Sequence, residues 1–362
     1  MLVDKKVLFL SNHLYFSKRK AGFHNLANYL LSCKNHVVFC TVPNSLVTIL
    51  RERGNLKQRL LSILFSLYPY KSNYLIVSSY ISLFHNETIL KGFHFIKKML
   101  FVNGYSRVFS YDYDVIVFES NVSLFLADKL KKKYPNAKFI YRVSDDLSVL
   151  GHNKILTEEE RRVLPKFEFV STASSYITRR LVNYNSNVKI VTHHNAINKD
   201  IFNHESINPY QNNQKNFIFV GSENIDYNFL ELVKNINKEW LFHIIGNIPC
   251  KVKSKKIIYY GEMEFKDTVK YIKYSDVGLN ILSYKEGIEA FERTLKYIQY
   301  SYCNLPVICP EFMKVQGRNV FEYGNSLKSV YQALENSLLF NSKTYDNSWV
   351  LSWKSLGERV FE

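Results

Sequence analysis

Three apolar segments between residues 217 and 261 decide the fold, and each ends directly in glycine: Phe217-Ile218-Phe219-Val220-Gly221, Phe242-His243-Ile244-Ile245-Gly246 and Ile257-Ile258-Tyr259-Tyr260-Gly261. Short, near-continuous runs of Val, Ile, Phe and Tyr are typical of strands that are buried on both faces of a parallel sheet. Glycine at the carboxyl end of a strand permits the tight turn and the close ligand approach that doubly wound sheets use. The segments therefore predict a parallel α/β domain with a ligand site at the carboxyl ends of its strands.

Apolar runs of the same kind lie on both sides of this stretch and alternate with longer patterns of helical periodicity. Two runs follow it, Val277–Leu282 and Pro306–Cys309. The runs that precede it are Val7–Ser11, His36–Cys40, Tyr74–Ser79, Val115–Glu119, Lys138–Val143, Phe167–Thr172 and Lys189–Thr192. Strands that alternate with helices form parallel sheets with crossover connections. The sequence therefore predicts an α/β protein made of two Rossmann-like domains that face each other across a cleft.

The domain boundaries are predicted from a polar segment and from the C-terminal tail. The segment Phe202–Lys215 is polar and predicts a linker, which places an N-terminal domain at residues 1–205 and a C-terminal domain at residues 206–345. The tail, residues 346–362, carries large apolar side chains at roughly helical spacing: Trp349, Leu351, Trp353, Leu356, Val360 and Phe361. This spacing predicts a closing helix that crosses back and packs on the N-terminal domain.

The chain is basic, with 48 Lys and Arg against 32 Asp and Glu and a formal net charge of +16. Such a charge favours nucleic acid, an anionic membrane or phosphorylated substrates as partners. Nucleic acid is not predicted, because the sequence holds no recognition module and no dense Lys/Arg run. No apolar run reaches the ~18–20 residues of a membrane-spanning helix, and the N-terminus does not resemble a signal peptide. Five cysteines without a CxxC pair indicate reduced thiols and a cytoplasmic location.

Two apolar clusters in the first half of the chain lie beside basic residues. One is Leu60–Phe65 and the other is Phe93–Phe101; the first lies close to Arg51, Arg53, Lys57 and Arg59. Basic residues next to an apolar helical face suit contact with an anionic membrane surface. Amphipathic helices that pack on a sheet produce the same pattern, and the sequence leaves both interpretations open.

The segment 292–309 holds the strongest local cluster of polar side chains and predicts a helix, a turn and a buried strand. The helix is expected to begin near Arg293 or Thr294, which places Lys296 in its first turn. Free N–H groups and the helix dipole favour an anion there, and an anionic ligand would explain a lysine at that position. Gln299 projects from the same face and suits a ribose hydroxyl. An exposed lysine and an unrelated glutamine would give the same pattern.

Several cofactor motifs are absent from the sequence. No GxGxxG fingerprint and no P-loop follows a predicted strand, so binding of NAD or FAD is not predicted. No DxD motif is placed to hold a metal at a nucleotide. The adjacent His193 and His194 do not predict a zinc site, because neighbouring histidines cannot comfortably both point at one metal and no third ligand has suitable spacing. We therefore expect no metal and no cofactor, and an anionic group would be stabilised by protein cations and amides.

The pattern Lys-x-x-Gln-Tyr at 296–300, followed by Asn-Leu-Pro-Val-Ile at 304–308, resembles the nucleotide-binding element of GT-B glycosyltransferases. Many retaining members of that class carry a pair of glutamates spaced Glu-x7-Glu. In this chain Thr294 stands eight residues after Glu286, so the pair is broken. The departure weakens a retaining assignment.

Three further segments resemble the xanthan-type glucuronosyltransferases, which are membrane-associated inverting GT-B enzymes. The segment Tyr141–Leu147 is similar to their Tyr-Arg-x-Ser-Asp-Asp segment, Gly261-Glu262-Met263 to their nucleotide-binding Glu-Met pair, and Tyr284 falls in their donor-site loop. The order and rough spacing of these motifs hold over about residues 5–360.

The resemblance implies a role for each candidate residue. Asp145 and Asp146 include the catalytic base, with Asp146 preferred, since a partly buried Asp beside a like charge is suited to take a proton. Contacts to the donor nucleotide are expected from Lys296, Gln299, Glu262, Met263, Tyr284, Gly221, Ser222, Thr294 and Leu295. Acceptor binding is expected from four residues in or next to the loop after the first strand: His13, Arg19, Lys20 and His24. A basic, solvated loop without this role would give the same pattern.

The function that these resemblances imply is inverting transfer of a sugar, glucuronic acid or a related hexose, from a UDP-sugar to a saccharide acceptor. The expected acceptor is carried on a polyprenyl diphosphate, in exopolysaccharide or capsule synthesis, so the protein would be peripherally associated with the inner face of the plasma membrane. Three alternatives stay open: a retaining GT-B transferase, a sugar-nucleotide epimerase, and a non-catalytic module that binds nucleotide sugar or anionic lipid.

Overall fold

The structure is a computed structural model and describes residues 2–17, 20–45, 56–82, 99, 101–149, 154–211, 213–221 and 224–361, without the side chains of residues 43–45, 56–59 and 62. The chain divides into two compact units. The first comprises Met1–His194 and Trp353–Glu362, and the second comprises Asn195–Ser352.

The first unit is built on a sheet whose described strands run in the order β3-β4-β2-β1-β5-β6-β7-β8. Their bounds are β1 Lys6–Ser11, β2 His36–Ser45, β3 Tyr70–Ser72, β4 Leu75–Ser82, β5 Val115–Glu119, β6 Lys138–Val143, β7 Phe169–Thr172 and β8 Ile190–Thr192. Neighbouring strands are parallel except β3, which is antiparallel to β4. Leu8 and Leu10 join one apolar cluster, and Phe9 between them packs against Phe23. Alternate residues of β1 are thus buried on opposite faces, which explains its continuous apolar sequence.

The second unit is built on a parallel sheet whose described strands run in the order β11-β10-β9-β12-β13-β14. Their bounds are β9 Lys215–Val220, β10 Trp240–Ile245, β11 Ile257–Gly261, β12 Val277–Leu279, β13 Val307–Pro310 and β14 Val320–Tyr323. Phe217 and Phe219 belong to one apolar cluster, whereas Ile218 belongs to another. Both faces of β9 are therefore buried. The α/β fold with two parallel-sheet domains is confirmed.

Helices connect the strands in both units. Their bounds are α1 Gly22–Ser32, α2 Leu56–Leu67, α3 Ala127–Lys133, α4 Lys154–Val163, α5 Ser175–Tyr184, α6 Lys199–Asn203, α7 Tyr227–Val233, α8 Phe265–Tyr274, α9 Leu295–Tyr302, α10 Leu327–Leu338 and α11 Trp353–Phe361. The last helix packs on α1 so closely that a Cβ at Gly357 would lie 2.3 Å from the ring of Tyr29. Within the described residues, no helix is both long enough and apolar enough to cross a membrane.

The unit boundaries differ from those expected from the sequence. The sequence predicts that residues 195–205 belong to the N-terminal domain, but Ile197 and Phe202 are buried in the core of the second unit. The polar segment after them is not a free linker, because the hydroxyl of Tyr210 donates to the carbonyl of Tyr271 on α8 at 2.9 Å. At the other end, Val350 stays in the core of the second unit, so that only α11 belongs to the first.

Two strands were not predicted, and each lacks the continuous apolar sequence on which the other predictions rest. β3 is exposed at all three of its positions. β14 is only partly buried over its first two residues and exposes its third.

Candidate active site

The carboxyl ends of β9, β10 and β11 lie side by side, and three glycines meet there. The N–H of Gly221 donates to Ile245 at 3.0 Å, and the N–H of Gly246 donates to Gly261 at 2.8 Å. Gly246 has a φ of 137°, and a Cβ at that position would lie 1.7 Å from the oxygen of Gly221. Only glycine permits this approach of two backbones. We call Gly221, Gly246, Gly261 and the neighbouring Lys296 the glycine edge.

Thr294 fixes the beginning of α9 beside this edge. Its Oγ accepts the N–H of Tyr297 at 3.2 Å and donates to the buried Asn280 at 3.0 Å. The helix therefore begins at Leu295, which is 44% exposed, and Thr294 serves as its N-cap rather than as an open ligand. Gln299 lies one turn into the helix and is partly buried.

Lys296 brings a positive charge to the glycine edge. A Cβ at Gly221 would lie 3.3 Å from Lys296 Nζ, and the ammonium lies 4.5 Å from the centre of the Phe219 ring. The residue is partly exposed, but protein atoms surround its ammonium, and this burial lowers the pKa of Lys296 to about 8. In the described part of the chain no carboxylate forms an ion pair with it. An ammonium beside a helix start and a glycine turn is arranged to receive an anion.

The other predicted nucleotide-binding residues lie on loops of the same unit. Glu262 is exposed directly after β11, whereas Met263 is partly buried against the apolar core. Tyr284 is 70% exposed, and its ring lies 5.4 Å from that of Phe312. Ser222 lies outside the described residues.

Asp146, the preferred base from the sequence, is held inside the first unit by a network of charges. Its carboxylate accepts Arg180 Nε at 2.7 Å and the N–H of Ser148 at 2.8 Å, and its side chain has no exposed surface. Arg180 also donates to the buried Glu160 at 2.6 Å, and Glu160 accepts the hydroxyl of Tyr141 at 2.6 Å. Both carboxylates therefore serve to neutralise Arg180, and the preference for Asp146 as the base does not fit this geometry.

Asp145 has the opposite environment. It is exposed in the loop after β6, and its electrostatic partners include Arg142 and Glu119. Arg142 is buried and donates to Ser171 Oγ at 2.8 Å and to the carbonyl of His193 at 2.7 Å. Burial lowers the pKa of Arg142 to about 10, and the charge of Asp145 opposes that shift. Of the two aspartates, only Asp145 is exposed to solvent.

Glu119 is a buried carboxylate at the end of β5 that sequence reasoning did not single out. Its Oε2 accepts Ser11 Oγ at 2.8 Å and the N–H of Asn12 at 2.9 Å, and its Oε1 lies 3.6 Å from Nε2 of His13. In the described residues no three His, Cys, Asp or Glu side chains are grouped as ligands of one metal ion. We call His13, Glu119, Arg142 and Asp145 the carboxylate edge, since all lie at or beyond the carboxyl ends of β1, β5 and β6.

His24 has a structural role rather than the expected role in acceptor binding. Its Nδ1 accepts the N–H of Ala21 at 3.0 Å, so the proton is on Nε2, which donates to the carbonyl of Leu14 at 3.1 Å. Both ring nitrogens are used, and burial lowers the pKa of His24 to about 4. Lys20 is exposed and closes the same loop by donating to the carbonyl of Tyr15 at 2.5 Å. Arg19 lies outside the described residues.

Two solved structures are similar to this chain in fold. A glycosyltransferase from Rickettsia africae is 14% identical, with a TM-score of 0.59 and coverage of 99% of this chain and 94% of that one. A UDP-forming alpha,alpha-trehalose-phosphate synthase from Burkholderia xenovorans is 10% identical, with a TM-score of 0.62 and coverage of 99% and 98%. The chain has the fold of the GT-B glycosyltransferases.

Within that class, residues 9–173 match the sequence model of the family described as "Glucuronosyltransferase GumK, N-terminal domain". A curated relative, the UDP-glucuronate:glycolipid 2-beta-glucuronosyltransferase of Xanthomonas campestris pv. campestris, is 28% identical over 254 residues. The match covers 69% of this chain and 62% of the relative, so the chain spans about three fifths of that protein's length. The resemblance to the xanthan-type glucuronosyltransferases is confirmed. The matched segment contains the whole carboxylate edge.

Proposed function

We propose that the protein is an inverting glycosyltransferase that moves a sugar from a UDP-sugar to a saccharide hydroxyl. The observation that carries the proposal is the buried ammonium of Lys296 beside Gly221, where three strand ends and the start of α9 converge. This arrangement suits the diphosphate of a sugar nucleotide, since backbone N–H groups and one cation neutralise it together. The glycine edge would bind the donor, and the carboxylate edge would act on the acceptor.

The reaction divides its chemistry between the two edges. The acceptor oxygen attacks the anomeric carbon as its proton passes to the carboxylate of Asp145. The bond from that carbon to the diphosphate oxygen breaks, and its electron pair leaves with UDP. One displacement inverts the anomeric configuration. Lys296 stabilises the negative charge that develops on the leaving diphosphate. Such electrostatic stabilisation is usually the largest single contribution to lowering the activation barrier.

The donor is tested by thermal unfolding of the protein with UDP, ADP or GDP, each in EDTA. A ligand at ~100 times its Kd stabilises a fold by about 2.7 kcal/mol. We expect stabilisation by UDP in EDTA, retained when Lys285→Ala removes another lysine of the second unit and lost in Lys296→Ala. Absence of a shift with every nucleotide would refute the donor site, and a shift that needs a divalent ion would refute metal independence.

The reaction type is tested by incubation with UDP-sugars and acceptors. The relative's name specifies UDP-glucuronate and a glycolipid, so these substrate classes are the first to use. We expect a product of inverted configuration. Retained configuration would indicate a retaining transferase, loss of label from the sugar's own C–H bonds would indicate an epimerase, and binding of UDP without any turnover would indicate a non-catalytic module.

We further propose that the first unit binds an anionic membrane surface, where a polyprenyl-diphosphate acceptor would lie. The support is an exposed apolar stripe on α2: Leu60, Leu64 and Leu67 are 55%, 48% and 47% exposed. Their spacing of four and three residues places them on one helical face. Phe16 is 55% exposed beside this helix, with its ring 6.1 Å from that of Phe65. An exposed apolar stripe in a basic protein suits interfacial binding.

Membrane binding is tested by flotation with vesicles that contain phosphatidylglycerol, against vesicles of phosphatidylcholine alone. We expect flotation with the anionic vesicles and its loss in the double variant Leu60→Ser/Leu64→Ser. Leu339→Ser is the matched control, since Leu339 is 83% exposed in the second unit. Equal flotation of the double variant would contradict the assignment to α2. The predicted basic residues of this region and the cluster at 93–101 lie mostly outside the described side chains.

A further inference from the structure

We propose that Glu119, a residue outside every motif described above, is a positioning residue of the carboxylate edge that orients His13 and strengthens Asp145 as a proton acceptor. The inference rests on the proposed transferase function. It concerns a buried carboxylate whose place in the fold and whose contacts are unusual for a residue of the core.

The sheet places Glu119 between the two loops that the reaction would use. β5 pairs with β1 on one side, where Leu10 is opposite Phe118, and with β6 on the other, where Glu119 is opposite Arg142. The residues that follow β1 lead to His13, and those that follow β6 lead to Asp145. Because parallel strands end at one edge, a side chain at the end of the middle strand serves both loops.

The contacts of Glu119 fix the loop after β1 and the ring of His13. The N–H of Asn12 can only donate, so Oε2 of Glu119 is an acceptor whatever the protonation state. Ser11 Oγ, which donates to the same oxygen, also accepts the N–H of His13 at 3.1 Å. Thr41 donates to the carbonyl of His13 at 3.0 Å. With its backbone held on both sides, His13 presents Nε2 to Oε1 of Glu119 at 3.6 Å.

The charges around Glu119 explain why a carboxylate is useful there. Burial raises the pKa of Glu119, while His13, the N–H of Asn12 and Ser11 Oγ lower it, and Asp145 raises it again. The repulsion between the two carboxylates is mutual, so Glu119 also increases the proton affinity of Asp145. Arg142 acts on Asp145 in the opposite sense. Since Arg142 alone would weaken Asp145 as a base, the charge of Glu119 compensates for it.

The test compares Glu119→Gln with Glu119→Asp, which retains the charge, and with Glu168→Gln. Glu168 lies at the opposite end of the same sheet, where it accepts the N–H of Phe139 at 2.7 Å and Lys131 at 2.6 Å. The readouts are thermal unfolding, the UDP-induced shift, and kcat/KM for sugar transfer as a function of pH.

For Glu119→Gln we expect the midpoint of the acid limb to move to lower pH by roughly one unit and the plateau to fall roughly ten-fold. The midpoint moves to lower pH because the lost negative charge raised the proton affinity of Asp145. Glu119→Asp should keep the wild-type midpoint at a lower rate. Glu168→Gln should lose some stability and keep the wild-type profile.

The outcomes separate the inference from the function on which it rests. A lower rate for Glu119→Gln with an unmoved midpoint would show that Glu119 only ties the loop together and would overturn the proposal. The same midpoint shift in Glu119→Asp would overturn it as well, since the charge is retained there. Failure of the wild-type protein to transfer any sugar would instead refute the proposed function.

Discussion

Asp145→Asn and Asp146→Asn each remove one negative charge at adjacent positions, and the structure predicts that they affect different properties of the protein. Asp146 has a fully buried side chain and contacts Arg180 at 2.7 Å, whereas Asp145 is exposed. Asp146→Asn should therefore act through stability, and Asp145→Asn should act through the transfer reaction.

The magnitude for Asp146→Asn follows from the buried ion pair. Removal of one partner of such a pair costs about 3–5 kcal/mol, because the other charge stays buried. Arg180 keeps its contact with Glu160 at 2.6 Å, so we expect the lower end, about 3 kcal/mol. In a unit of this size that corresponds to a decrease in Tm of roughly 6–12 °C. For Asp145→Asn we expect a stability change within about 0.5 kcal/mol and a fall in transfer rate of roughly 10²–10⁴-fold.

The assay measures thermal unfolding of both variants and then UDP release with acceptor at a temperature where both are folded. Asp146→Asn should retain most of its rate per folded molecule. The reasoning is refuted if Asp146→Asn keeps the wild-type Tm but loses transfer, or if Asp145→Asn transfers at the wild-type rate.

Three further outcomes follow from the same structure. UDP affinity should fall as pH rises through about 8, where the free Lys296 ammonium loses its proton, and titration calorimetry of Lys296→Arg should show no such fall between pH 7 and 9. Gly246→Ala should lower the free energy of unfolding in urea by about 3 kcal/mol or more, because its Cβ would strike the backbone of Gly221. Gly261→Ala should lower it by only about 1 kcal/mol, since a Cβ there meets open space and only the φ of 74° is unfavourable. Equal losses of stability would contradict the close approach of Gly246 and Gly221. The free energy of unfolding should decrease as pH falls from about 6.5 to 4, because His24, His193 and His243 are buried and have pKa values of about 4. In this range they take up protons only in the unfolded state, so each should lower the free energy of unfolding by roughly 2–3 kcal/mol by pH 4.5. A flat pH profile would contradict their burial.

The parts of the fold that the sequence predicts are those that local pattern determines. The strand ending at Gly221 is recognisable because burial on both faces requires continuous apolar residues, and a close backbone approach requires glycine. The start of α9 at Thr294 is recognisable because a capping side chain and the helix it caps are neighbours in sequence. The strands missed, β3 and β14, are partly or wholly exposed and lack that pattern.

The roles of the charged residues depend on partners far away in the chain. Asp146 and Asp145 look alike in sequence, and Arg180, which separates them, lies 34 residues beyond Asp146. Glu119 reads as the last residue of an apolar strand, and its partner Ser11 is 108 residues away. One signal was available, since a carboxylate that continues a fully buried strand is costly without a partner. That signal identifies Glu119 as unusual, but only the sheet order brings His13 and Asp145 to it.

The two edges differ in charge in the way that a displacement reaction requires. At the glycine edge the described side chains offer the ammonium of Lys296 without a carboxylate partner. This positive charge suits a diphosphate, both in the bound donor and in the UDP that leaves. At the carboxylate edge two acidic groups repel each other and one of them is exposed, which suits a group that must gain a proton during the reaction. The reverse arrangement would oppose both donor binding and proton transfer. A carboxylate beside the diphosphate would repel the donor, and an isolated cation beside the acceptor would lower the proton affinity of Asp145. The positive glycine edge and the acidic carboxylate edge together therefore support group transfer more strongly than either edge considered alone.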